Sequence, residues 1–115
     1  MISKSKKSSY EEKYTTIKKS LADDYGDLFI PGIEYLGITE DRKMVYFSTI
    51  KDYVFTPTHT VMRIVELNNI TGRTKDGIET LELKSPIVQI NTASRTFYIE
   101  NTTAEDVKRK IFGDM

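Results

Sequence analysis

From residue 33 to residue 100 the chain runs through one period-two segment after another, and no helical period intervenes. Parallel neighbours need a crossover of a dozen or more residues, usually a helix, so strands in such a run pair chiefly as hairpins. IEYLGI (33–38) and KMVYFS (43–48) flank the turn TEDR. DYVF (52–55) continues strand-like to Pro57, which has no amide hydrogen for a ladder and marks a break or an edge. In HTVMRIVEL (59–67), Val61, Arg63, Val65 and Leu67 alternate with Met62, Ile64 and Glu66. NNITGRTKDG (68–77) reads as a polar connection with two glycines. IETLELK (78–84) alternates again, and PIVQI (86–90) with RTFYIE (95–100) forms a hairpin around NTAS. The expectation is six or seven strands with no βαβ unit.

Helical periods lie on either side of this run. Tyr10, Tyr14, Ile17 and Leu21 fall at i, i+4, i+7 and i+11, with Glu11, Glu12, Lys13, Lys18 and Lys19 on the opposite face. That predicts a helix over 10–24, ended by Asp23, Asp24 and Gly26. Residues 1–9 are polar and rich in Lys and Ser, which predicts a disordered basic tail. At the other end TTAE (102–105) fits a capping box, with Thr102 as the cap. Ala104, Val107 and Ile111 then make a narrow apolar stripe, joined by Phe112. So short a helix, expected over 103–112, needs an apolar surface to lie on. The sum is an α+β fold, one domain over 10–115, built on a single bent antiparallel sheet or small barrel with an N-terminal helix and a C-terminal capping helix.

At 115 residues the chain has about the size of one ordinary domain and needs no metal or disulfide to fold. It contains no Cys, which removes disulfides, thiolate chemistry and Cys-containing zinc sites, and fits a reducing compartment. Seventeen basic residues balance seventeen acidic ones, unlike a dedicated nucleic-acid binder with its excess of Lys and Arg. The balance is local, however: residues 1–20 hold six Lys against two Glu. The basic start is not followed by an apolar run, so it does not read as a secretory signal, and no segment reaches the ~20 apolar residues of a membrane span. The expected location is the cytoplasm.

A bent antiparallel sheet whose last strand runs straight into an amphipathic helix resembles the closure of the pleckstrin-homology (PH) superfold. GITEDRKMVYF (37–47) is similar to the early hairpin of small bacterial PH-like domains, with its T-x-x-R turn, and RIVELNNITG (63–72) to a later strand. IETLELKS and RTFYIENTTAEDVKRKI resemble their final hairpin and closing helix, and PGIE their approach to the first strand. An Sm-like barrel also places a helix before its strands, and stays open as an alternative. The PH resemblance implies a non-catalytic platform for peptides, partner domains or lipid headgroups, often self-associating. Phosphoinositide binding does not carry over, because the first turn, TEDRK, sets two acids beside two bases.

The candidate sites are few. His59 is the one His and has no convergent partner for base or metal chemistry, so no catalytic residue, cofactor site or metal ligand is assigned. Asp23, Asp24 and Asp27 lack the spacing of a calcium loop, and TGRTKDG (71–77) joins two strands where a P-loop would open a helix. Tyr46, Phe47, Tyr53, Phe55, Phe97 and Tyr98 lie in strands and read as core, since Glu34, Asp52, Glu66, Glu79, Glu82 and Glu100 spoil a basic stacking groove. Lys4, Lys6, Lys7, Lys13, Lys18 and Lys19 are the one signal of a charged partner. The expected function is a non-enzymatic protein-binding or interaction module. The alternative is a nucleic-acid-associated protein that uses its Lys-rich N-terminus.

Overall fold

Alternating residues sort the strands into two sheets rather than one. The computed structural model describes residues 2–49 and 51–113, with side chains from Tyr10 onward. The order is α1 (Ile2–Tyr25), β1 (Leu28–Ile30), a 3-10 turn (Ile33–Tyr35), β2 (Leu36–Ile38), β3 (Met44–Ser48), β4 (Tyr53–Pro57), a second 3-10 turn (Thr58–Thr60), β5 (Val61–Thr74), β6 (Gly77–Thr92), β7 (Thr96–Ile99) and α2 (Ala104–Phe112). The sheets are β1-β7-β6-β5 and β2-β3-β4, and neither closes into a barrel. The fold is therefore α+β with a helix at each end, but the expected single sheet or barrel is corrected to two open sheets.

Period two also decides the layers. On β7, Phe97 and Ile99 point into a core shared with Val45, Phe47, Ile64, Val88 and Ile90, while Tyr98 points the other way. Phe47 and Phe97 stack at 3.8 Å and tie the two sheets together. Val107 and Ile111 of α2 enter the same core, fully buried, so the closing helix plugs the space between the sheets. On the far side of the four-stranded sheet, Ile17 and Leu21 of α1 pack with Ile70, Leu81, Ile87 and Tyr98. Each large side chain buried this way contributes roughly 1.5–3 kcal/mol.

Three local expectations are corrected. Residues 68–77 are mostly strand: β5 runs to Thr74 and pairs with β6 through Thr74↔Gly77, with a register shift between Leu67 and Asn69. That bulge interrupts the alternation, and residue 77 takes φ +105 to turn the hairpin, which suits Gly. The strand run is expected to begin at residue 33, yet β1 precedes it and pairs in parallel with β7 in the register Leu28↔Phe97, Phe29↔Tyr98, Ile30↔Ile99. The helix cap sits one residue later than expected. Thr103 caps α2 by accepting from the Asp106 amide at 3.2 Å, and Glu66 accepts from the Ala104 amide at 2.9 Å, while the Thr102 hydroxyl is buried without a partner.

Helix α1 begins at Ile2, eight residues before the start expected at Tyr10. No Pro or Gly lies in 2–9 to stop the backbone continuing outward from the docked part. It ends where expected: Gly26 adopts φ +73 and its amide returns to Ala22 O at 2.9 Å.

Candidate docking face on the three-stranded sheet

The residues of β2, β3 and β4 that face away from the core form the most distinctive surface of the molecule. The register Leu36↔Phe47↔Val54 and Ile38↔Val45↔Thr56 defines the inner face. The intervening positions then lie on the outer face: Gly37, Met44, Tyr46, Ser48, Tyr53, Phe55 and Pro57, flanked along β2 by Tyr35 and Thr39. None of these nine is charged, in a chain of which 30% is charged. A sheet face turned to water ordinarily alternates to polar residues. Here Tyr53 is 59% exposed, Phe55 54% and Tyr35 40%.

The rings are mutually supported. Tyr46 meets Tyr53 edge-on with centroids 6.0 Å apart and Phe55 at 5.6 Å, and Tyr53 lies 6.4 Å from Phe55. Gly37 makes this possible, because a Cβ there would sit 2.2 Å from the Tyr46 ring. Tyr46 therefore folds across β2, and the small Ser48 lies beside Tyr53 in the next row. A shallow groove of about 470 Å³ follows, walled by Tyr35, Tyr46 and Tyr53 and rimmed by Glu34 and Lys110.

The aromatic residues read as core from the sequence thus divide. Phe47, Phe97 and Tyr98 are buried, whereas Tyr46, Tyr53 and Phe55 belong to the outer face. The signal was available, since Tyr46 and Phe47 are consecutive strand residues and cannot share a face.

Among the described residues, the Lys side chains singled out from the sequence do not converge. Lys13 pairs with Glu79 at 2.8 Å, Lys18 with Glu100 at 3.2 Å, and Lys19 with Asp23 at 2.9 Å. Lys18 also lies over the rings of Tyr14 and Phe29. The side chains of Lys4, Lys6 and Lys7 lie outside the described residues. Lys13 and Lys18 bind α1 to the four-stranded sheet, and Tyr14 joins them by donating to the Glu100 carboxylate. Burial, then the hydrogen bond to Glu100 and its charge, raise the Tyr14 phenol well above its usual range, so it remains a donor.

The three acids at the end of α1 also separate. Asp24 receives both Arg73 Nε at 3.0 Å and Nη2 at 2.9 Å, and this pairing lowers its carboxyl below the usual range. Asp27 is buried, and burial raises its carboxyl despite a hydrogen bond from Tyr98 and the charge of Arg95. Among the described residues no cluster of three or more metal-ligating side chains occurs. His59 is exposed in the second 3-10 turn, and residues 71–77 form the tip of the β5–β6 hairpin. Arg42, the Arg of the T-x-x-R turn, takes φ +62 and donates to Ile111 O at 3.1 Å, so it ties the first hairpin to the end of α2. Among the described residues no helix is long and apolar enough to cross a membrane. Compared with known proteins, the chain matches no family model, no curated protein and no solved structure.

Proposed function

We propose that this chain is a non-enzymatic interaction module on a PH-like fold, and that it docks a protein partner on the outer face of the three-stranded sheet. The observation that carries this reading is the absence of charge from nine neighbouring outward positions, with Tyr35, Tyr53 and Phe55 substantially exposed among them. Exposed apolar patches framed by polar residues mark interaction sites, and Tyr is among the residues enriched at interface centres. The PH-like part of the reading draws support from the order of elements: one three-strand meander, a second, then a helix that plugs the core between them. The lack of Cys suits a reducing compartment such as the cytoplasm. The nucleic-acid alternative is weakened by the engagement of Lys13, Lys18 and Lys19 with carboxylates.

The test is affinity capture from the native host with the full chain as bait, quantified by mass spectrometry. A Tyr53→Ser, Phe55→Ser double variant should lose the partners that the native chain retains. The two rings are about half exposed but pack on Tyr46 and on each other, so the variant should lose on the order of 1 kcal/mol and stay folded at the temperature of capture. Equal capture by both baits would remove this face from the function.

A further inference from the structure

We infer that the docking face takes a proline-rich segment in the polyproline II conformation; this rests on the reading of that face as the contact surface. Size is the first argument. A fully exposed aromatic side chain offers roughly 200 Å², so Tyr35, Tyr53 and Phe55 at 40%, 59% and 54% present about 300 Å² between them. A stable protein interface takes about 800 Å² from each partner. The other six outward positions are half-buried or buried, so even with their contribution a second copy laid face to face would fall short of that area. The five-residue β3 and β4 with the three-residue β2 span roughly 14 by 17 Å, which about five polyproline residues would cross at 3.1 Å each.

Charge is the second argument. A single strand of nucleic acid would stack its bases on these rings, but its phosphates need a basic track. None of the nine outward positions is charged, and Lys110 at the groove rim is offset by Glu34 on the same rim. The matching ligand is uncharged where it touches the face. Proline rings meet that requirement, and a polyproline helix arrives already ordered, so little entropy is lost on binding. Its carbonyls have no internal partners, and three of the four rings on the face are tyrosines whose hydroxyls can donate to them. Ser48 lines the same groove as Tyr35, Tyr46 and Tyr53, so a proline ring can lie over Ser48 against the exposed Tyr53 ring.

The experiment is fluorescence anisotropy of labelled decaproline titrated with the full chain, beside a Gly-Ser decapeptide and a ten-residue oligothymidylate. Decaproline should bind saturably and the Gly-Ser peptide should not. Tyr53→Ser and Phe55→Ser should each weaken binding about tenfold, whereas Met62→Ser, at a 69% exposed site on the other sheet, should leave it unchanged. Amide shifts on the unmutated protein should map to β2, β3 and β4 without relying on any variant. The inference falls if decaproline fails to bind, if its shifts map elsewhere, if oligothymidylate binds this face instead, or if sedimentation shows the face closed in a dimer. Failure of decaproline while the double variant still loses its captured partners would remove the ligand class and leave the docking face standing.

Discussion

Gly72 lies on β5 beneath helix α1, and replacing it with Ala opposes two physical effects of known sign. Gly in a strand interior is unfavourable, so backbone entropy alone would make Gly72→Ala stabilising by roughly 0.5–1 kcal/mol. Packing says the reverse. A Cβ at residue 72 would sit 2.6 Å from Ser20 Oγ, 2.8 Å from Ile17 Cγ2 and 3.3 Å from the Ile17 carbonyl oxygen. Ordinary contacts need about 3.5–4.0 Å. Ile17 is fully buried and its carbonyl belongs to the helix, so neither can swing aside. Ser20 Oγ can rotate only by giving up the Arg73 amide at 3.0 Å and Ile17 O at 2.9 Å. Overpacking of this kind costs about 1–3 kcal/mol, and a lost hydrogen bond adds about 1 kcal/mol. The net expectation is a loss of about 1–3 kcal/mol, or on the order of 1 M in the urea midpoint. Equilibrium urea unfolding followed by far-ultraviolet circular dichroism reads this directly. A midpoint that stays or rises would mean that α1 does not dock on the hairpin as described.

Other substitutions probe the second helix and one buried carboxyl. Ile111→Ala should cost about 2–5 kcal/mol because Ile111 fills the core between the sheets, while the exposed Lys108→Ala should move the urea midpoint hardly at all. Thr103→Ala should cost about 0.5–2 kcal/mol by removing the cap; Thr102→Val, which deletes a buried and unpartnered hydroxyl, should hold or raise the midpoint. Asp27 has its carboxyl raised by burial, so the fold favours the protonated form, and that contribution is lost as pH climbs from the ordinary carboxylate value through the raised one. Asp27→Asn should therefore be more stable than the native chain at neutral pH, with the gap narrowing as pH falls through the raised value and the narrowing complete by about 4. A gap that widens on acidification would show that Asp27 is favoured in its charged form.

Local patterns made some elements readable and left others hidden. Both helices announce themselves through i, i+3, i+4 stripes, and the residues on those stripes, Ile17, Leu21, Val107 and Ile111, are buried. The cap of α2 was misplaced because two adjacent Thr offer the same hydroxyl, and only the tertiary contact from Glu66 to the Ala104 amide distinguishes them. β1 is three residues long and exists through its parallel pairing with β7, some seventy positions away, which no local period encodes. The distal half of β5 looked like a loop because Asn68, Asn69, Thr71 and Arg73 are exposed while Gly72 faces α1 without a side chain. The docking face was legible in part. Alternation around Phe47 required Tyr46 to point away from it, but whether a third layer covered that side depends on where α1 packs. It packs on the other sheet.

The central claim is that Tyr35, Tyr53 and Phe55 form the surface by which this protein meets its partner. Hydroxyl-radical footprinting tests it without a mutation, by comparing side-chain oxidation of the full chain in buffer and in host extract. Tyr25 and Met62, 71% and 69% exposed and away from the face, serve as internal references. The account predicts that Tyr35, Tyr53 and Phe55 lose reactivity in extract while Tyr25 and Met62 keep theirs. Protection of the references with the three face residues left reactive would contradict it.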